Sequence, residues 1–301
     1  MRHMSDIEQI DRDLCIPNDW RILVTGITSI HGWPVFKFLS KLMPQDRLFG
    51  IRPPGIDYPE ADNIEAICMT DRDALKRIRE RFDPTHVVHC AGVCDLDVCE
   101  ERPEWAHRIN VQGAENMADL FGENLPLVYI STDLVFSGEK PPEGGYTEED
   151  ETDPVSVAGR TFVKAERRIL KQDDSCVIRL SLPLGDSVNN KGAIDWIEGR
   201  FMRGLPVTLF HDEVRSCIEC EAIGPVVIQV FLNRIRGLYN LGGDRSWSLY
   251  EIGKHVLEKG DYSAELLDGT MRHEEINGPP RIGDVTLNSL KLKQALLIQR
   301  T

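Results

Sequence analysis

Short apolar runs alternate with amphipathic stretches through the first two thirds of the chain. RILVTG (21–26) is apolar and ends in glycine, which suits a buried parallel strand. HGWPVFKFLSKLM follows, with Val35, Phe36, Leu39, Leu42 and Met43 at helical spacing. RLFGIR (47–52) reads as a second strand, and DRDALKRIRERF as an amphipathic helix with Asp71 or Asp73 near its positive end. HVVHCAG (86–92) reads as a strand, PEWAHRINVQGAENMADLFGEN as a helix and LPLVYIST (125–132) as a strand. The polar segment DLVFSGEKPPEGGYTEEDETDP is too long for a simple connector, and such loops are often functional. A helix opening in SVAGRTFVKAERRIL (156–170) and the strand SCVIRLSLPLG (175–185) complete the series.

This alternation predicts an α/β fold with a Rossmann-type doubly wound parallel sheet. The last third is more mixed. It carries a helix near 191–203, short strands near 207–210 and 238–241, and helices near 221–232 and 248–259. The expected division is a flexible N-terminal tail over 1–20, a dinucleotide-binding core over 21–180, and a smaller C-terminal substrate-binding lobe over 181–301. That lobe is mixed α/β and interleaved with the last core strands.

Composition narrows the classes. The chain has 301 residues, enough for a large core or a core plus a lobe. No apolar run approaches the length of a membrane span, and the polar first twenty residues do not resemble a signal peptide. The net charge of −14, with no basic run, argues against nucleic-acid binding. A cytoplasmic protein is expected. Of eight cysteines, Cys90, Cys94 and Cys99 lie close together, and Cys217 and Cys220 form one CxxC. A structural zinc site normally pairs two such units, so reduced thiols and no metal are expected.

VTGITSIHG joins the first strand to the first helix, where helix N–H groups and dipole can meet a pyrophosphate. Gly26 and Gly32 hold the outer positions of a glycine pattern, and Ser29 holds the middle one. The serine hydroxyl can bond a phosphate, or its Cβ can crowd one. After the second strand, Arg52 leans the cofactor toward NADP over NAD, because an arginine pairs with a 2′-phosphate.

Five stretches agree in order and spacing with one family: ILVTGITSIHG, HVVHCAGVCDLDVCEERPEWAHRINVQGAENMADL, LVYISTDLVFSG, YTEEDETDPVSVAGRT and PPRIGDVTLNSLKLKQAL. Over roughly residues 20 to 300 the chain resembles the extended short-chain dehydrogenase/reductase superfamily, and within it the dTDP-4-dehydrorhamnose reductase branch. The resemblance extends to the regulatory subunit of methionine adenosyltransferase, a non-reducing relative in that branch. It implies a nicotinamide cofactor at the strand ends and a nucleotide-sugar-like molecule beside it. Gly26, Thr28, Ser29, Ile30, His31 and Gly32 match the pyrophosphate turn, and Cys90, Ala91 and Gly92 the strand end beside the cofactor's ribose. Asn110 matches a structural helix asparagine, and Thr132 the catalytic hydroxyl that holds a substrate carbonyl. Asp133, Arg215 and Arg281 match substrate-side positions. The resemblance also implies a homodimer and admits a regulated protein partner.

The same frame lacks its acid. The family places a proton-donating tyrosine and a ribose-binding lysine four residues apart on one helix face. Ala158 and Phe162 occupy those positions. Lys164 lies two residues further, on another side of the helix. Tyr250 and Lys254 have the literal spacing, but in the later lobe, where Tyr250 is expected to pack and Lys254 to be solvated. General acid catalysis contributes on the order of 10² to 10⁴ in rate. Two function classes therefore stand: a divergent nucleotide-sugar reductase, and an inactive NAD(P)-binding regulatory or scaffold protein. Restoring tyrosine and lysine at 158 and 162 is expected to return some ketone reduction if only the dyad has decayed.

Overall fold

In a computed structural model, residues 14–297 are described, except 60, 124, 186, 189–191 and 275–277. The core strands are β1 (Ile22–Thr25), β2 (Leu48–Arg52), β3 (Ile64–Ala66), β4 (His86–His89), β5 (Leu127–Thr132), β6 (Ser175–Leu180) and, much later, β11 (Gly237–Leu241). They form one seven-stranded sheet in the order β11-β6-β5-β4-β1-β2-β3. Every pairing in it is parallel. β1, β4, β5 and β6 are buried at every position, as expected for strands covered on both faces.

One face is covered by α2 (Arg72–Phe82), α3 (Leu96–Glu101), a long helix over 103–122 and α6 (Val157–Ile169), through Leu75, Ile78, Met117, Phe121, Phe162 and Ile169. The long helix consists of α4 (Pro103–His107) and α5 (Gly113–Met117), each followed by a π-turn. The other face is covered by α1 (Gly32–Leu42), α8 (Cys220–Leu232) and α10 (Leu290–Leu297), through Val35, Leu39, Ile223, Val227 and Leu292. Asp71 caps α2 by accepting from the Ala74 amide, and Ser156 caps α6 by accepting from Gly159.

The remaining elements build a small lobe with its own core of Ile197, Phe201, Val207, Leu209, Ile252 and Val256. These are β7 (Pro183–Leu184), α7 (Ala193–Phe201), β8 (Val207–Phe210), β9 (Val214–Arg215), β10 (Ile218–Glu219), β12 (Trp247–Ser248), α9 (Leu249–Lys259) and β13 (Leu267–Thr270). β8 pairs with β13, β9 with β12 and β7 with β10. The strand expected near 238–241 and the helix near 221–232 return to the main sheet.

One expectation needs correction. Residues 14–20 pack against the sheet instead of trailing as a tail: Ile16 is buried, and the Trp20 ring lies 3.8 Å from that of His86 and 6.1 Å from Phe231. Residues 1–13 of that expected tail lie outside the described residues. The long polar loop after β5 is held down along its length. Gly283 and Asp284 donate to the carbonyls of Ser137 and Gly138, Tyr146 donates to Thr286, and Tyr146 stacks on Phe136 at 4.1 Å.

Beneath α6 lies a buried ion pair. Arg179 of β6 meets Glu166 through Nε at 3.0 Å and Nη2 at 2.9 Å, and Ser131 donates to the same carboxylate at 2.6 Å. Removing one partner strands the other charge in the core. Glu166→Ala is expected to cost about 3–5 kcal/mol in urea unfolding, whereas Glu166→Leu with Arg179→Met costs far less.

Three buried histidines set an acid limit. Burial holds His31 and His86 down to about 4 and His89 to about 3. The unfolded chain takes up these protons near pH 6.5, so it binds more protons than the folded chain below that value. Their contribution to stability is complete above pH 6.5 and falls as the pH drops toward 4. His89→Leu is expected to reduce that slope by about one proton, read from urea midpoints at successive pH values.

Candidate functional site

The turn after β1 is shaped by two glycines. Gly26 has φ +70°, and a Cβ there would lie 2.6 Å from the Ala91 amide nitrogen. A Cβ on Gly32 would overlap the Gly26 carbonyl. β1 and β4 therefore end in close contact, at the point where successive crossovers go to opposite faces of the sheet. In open α/β sheets this is where ligands bind. Thr25 fastens the two ends, with its hydroxyl 2.7 Å from His89 Nδ1 and 3.3 Å from the Ala91 amide.

Ser29 answers the question its sequence position raised. Its hydroxyl accepts from the Gly32 amide at 2.9 Å and donates to the Cys90 carbonyl at 3.4 Å. The side chain is folded back onto the first amide of α1 and bridges the turn to the end of β4. α1 has no acidic residue in its first turn, so its positive end is not offset there. Arg52, at the end of β2, donates to the Ile56 carbonyl at 3.0 Å and is partly exposed. On the far side of the crevice, Asn110 clamps the chain after β4. It accepts from the Val93 amide, donates to the Val93 carbonyl and donates to Thr161 of α6. Asn110 lies in the first π-turn of the long helix, a distortion frequent at functional sites.

Between this crevice and the lobe lies a cavity of about 240 Å³. Among the anticipated residues it gathers Ile30, His31, Thr132, Arg215 and Arg281. Cys94, Leu96, Ser181 and Glu213 also line it and were not anticipated. The signal for Glu213 was present: it lies two residues before Arg215, the spacing that puts side chains on one face of an extended chain. Gly26, Thr28, Ser29, Gly32, Arg52, Cys90, Ala91 and Gly92 do not line the cavity.

Asp133 departs from its expected substrate contact. It is completely buried and does not line the cavity. Arg215 grips it with both Nε, at 2.9 Å, and Nη2, and Ser181 donates to it at 2.9 Å. Burial opposes the Arg215 charge, and Asp133 more than offsets this, so the guanidinium stays protonated. His31, held neutral by burial, feels Asp133 and Arg215 in opposite senses. Burial pushes the Cys94 thiol up to about 11, so it is not a thiolate at neutral pH.

The dyad positions are closed. Ala158 is 0% and Phe162 2% exposed, both in the apolar core, and neither lines the cavity. The Phe162 ring stacks with Tyr129 at 6.4 Å, and a Cβ on Gly92 would lie 3.0 Å from it. Lys164 is exposed on another side of α6. Tyr250 packs 4.1 Å from the His211 ring, while Lys254 is exposed and 3.9 Å from Glu258. Among the described residues, no three His, Cys, Asp or Glu side chains are placed to hold a metal, and all eight cysteines are free thiols. No helix among them is long and apolar enough to cross a membrane.

Residues 21–301 match the family described as RmlD substrate binding domain. The chain belongs to this family. This RmlD-type chain has the fold of the extended short-chain dehydrogenases/reductases. It is 25% identical to methionine adenosyltransferase 2 subunit beta of Xenopus laevis, over 98% of this chain and 88% of the relative. It is 31% identical to the protein of the same name from Pongo abelii, over 97% and 87%. Among solved structures it is similar to a hypothetical dTDP-4-dehydrorhamnose reductase from Sulfolobus tokodaii, with TM-score 0.77, 25% identity, and coverage of 91% of this chain and 94% of that one. The Bacillus anthracis dTDP-4-dehydrorhamnose reductase in complex with NADP shares the fold, at TM-score 0.76 and 19% identity, with 92% of each chain covered.

The closed dyad reverses the rescue expected from sequence. Tyrosine at 158 overfills a sealed position, and lysine at 162 puts a cation in an apolar core. Ala158→Tyr with Phe162→Lys is expected to lose at least about 3 kcal/mol in denaturant unfolding. It should show no reduction of a 4-keto nucleotide sugar.

Proposed function

We propose that this chain is a nicotinamide-dinucleotide-binding, non-reducing member of the RmlD family that acts as a cytoplasmic regulatory subunit of a methionine adenosyltransferase. The observation that carries this is the apolar sealing of the proton-donor and ribose-lysine positions by Ala158 and Phe162. The name shared by the vertebrate relatives, which match nearly the whole chain, supports the partner. Eight free thiols agree with a reducing compartment.

The residues of the crevice fit a dinucleotide. Gly26 and Gly32 leave no side chain over the turn, Ser29 is folded away, and the positive end of α1 carries no acid in its first turn. Ile30, His31 and the Cys90–Gly92 strand end would flank the cofactor, and Arg52 favours the 2′-phosphate of NADP. A bound nicotinamide supplies hydride chemistry in reductases. Here it would order the crevice and the adjoining cavity, where a nucleotide-sugar-like molecule fits beside it.

Titration with NADPH and NADH, read by nicotinamide fluorescence, is expected to show binding with preference for NADPH. A purified methionine adenosyltransferase catalytic subunit should co-elute with the chain and change its KM for methionine. A folded protein that binds neither dinucleotide, or that leaves the transferase unchanged, refutes the corresponding half of the proposal. A reductase reading has one observation in its favour: Glu213, the acid lining the cavity among the described residues, is pushed toward its protonated form by burial. NADPH oxidation by a 4-keto nucleotide sugar, abolished by Glu213→Leu, would establish that reading instead.

A further inference from the structure

The charged groups around the cavity are unequally engaged. The fork of Arg215 is closed on Asp133. Arg272 is occupied by Asp212, Glu139 and the Arg281 carbonyl. Glu213 and Arg281 differ. Glu213 is 2% exposed and lines the cavity, and its Oε2 has no hydrogen-bond partner. Arg281 lines the same cavity, and its Nε is buried and equally without a partner. Arg281 Nη1 lies 3.7 Å from Glu213 Oε2, close enough for attraction and too far for a hydrogen bond. Two opposite charges are thus left side by side with bonding capacity unused, which is costly in a buried setting until a ligand takes it up.

Size, walls and charge limit what that ligand can be. The cavity is about 240 Å³, below the roughly 300–1,000 Å³ of pockets for drug-sized molecules. Leu96, Leu134, Leu182 and Leu249 make much of its wall apolar. Each arginine of the lining already faces a carboxylate, Arg215 with Asp133 and Arg281 with Glu213, so a ligand of either net charge meets repulsion as well as attraction. A small zwitterion satisfies both unused groups and adds no net charge. An α-amino acid carries its ammonium and its carboxylate on one carbon, so its two charges lie about as close together as the two side chains do. Burial favours the neutral form of Glu213, whereas Arg215, Arg281 and an incoming ammonium favour its carboxylate.

We propose that the cavity binds a free α-amino acid with an apolar side chain, its ammonium against Glu213, its carboxylate against Arg281 and its side chain among the leucines. This rests on the reading of the cavity as the ligand site of a chain that does not reduce a nucleotide sugar. The amino acid competes with any nucleotide-sugar-like molecule for the space. A guanidinium fork suits a carboxylate, and an ammonium brings three donors to a carboxylate that only accepts. Both side chains are held where they are. The Glu213 carbonyl accepts from the Leu249 amide at 3.0 Å, and the Arg281 guanidinium lies 5.0 Å from the Phe210 ring centre. Methionine belongs to this class, so the site lets a regulatory subunit sense the amino acid that its transferase consumes.

Calorimetric titration of the chain, with no transferase present, tests the site with L-methionine and L-leucine. Each is compared with the amine that lacks its carboxylate and with the acid that lacks its ammonium. At least one of the two amino acids should bind about tenfold or more tightly than both of its truncated analogues. Glu213→Gln keeps the shape and removes the charge, and should erase the advantage over the acid. Arg281→Met should erase the advantage over the amine. If Arg281→Met unfolds because it strands Glu213, the double variant Glu213→Leu/Arg281→Met strands neither charge and must show no preference for the amino acid over either analogue. Failure of both amino acids to bind overturns the inference. So does an affinity no better than that of either analogue, or a preference that survives the substitutions. NADPH titration and transferase co-elution on the same samples keep the claims apart. If both are positive and no amino acid binds, the amino-acid site falls and the regulatory function stands. If an amino acid binds and both are negative, the site stands and the regulatory function falls.

Discussion

The Asp133–Arg215 pair joins the two parts of the molecule. Asp133 follows β5 at the end of the main sheet, and Arg215 comes from β9 in the lobe. Ser181, leaving β6, adds a third bond to the same carboxylate. Three chain segments, distant in sequence, are thereby fixed around one buried negative charge. Breaking either partner leaves the other uncompensated in a low-dielectric setting, a larger loss than the pair's own net worth. The pair helps hold β9 against the strand ends, together with the Val214 hydrogen bonds to Gly283 and Val285 and the pairing of β9 with β12.

Helix α6 is fixed at several points along its length. Its start is capped by Ser156, and Gly159 lies so close to Leu134 that a Cβ there would overlap the Leu134 carbonyl. Asn110 still reaches Thr161, and Glu166 still anchors the helix to β6 through Arg179. These features hold the backbone where a catalytic helix would lie. At 158 and 162 the helix carries apolar side chains that pack into the core.

Much of the fold was legible because burial imposes periodicity. β1, β4, β5 and β6 are covered on both sides and read as continuous apolar runs, and α1 and α2 carry one apolar stripe each. β3 was not legible: Ile64, Glu65 and Ala66 form a partly exposed edge too short and mixed for a pattern. Residues 14–20 read as polar tail because their anchors, Ile16 and Trp20, are isolated in sequence and find partners only in β4 and α8. The candidate site divides the same way. Gly26 and Gly32 announce a turn locally, and Thr132 lines the cavity. That Asp133 is bound by Arg215, 82 positions away, is a tertiary fact with no local trace. The inward fold of the Ser29 hydroxyl likewise depends on Cys90, from the neighbouring strand.

His31 stands at the start of α1, in the turn after β1, and also in the wall of the cavity. It is electrostatically tied to Asp133 and Arg215, the hinge-pin between sheet and lobe. One neutral imidazole is thus common ground for two compartments. Linkage between binding free energies is reciprocal, so a molecule that shifts this ring from one side is felt equally from the other. A single ring is thereby placed within electrostatic reach of both the turn after β1 and the ion pair that ties sheet to lobe.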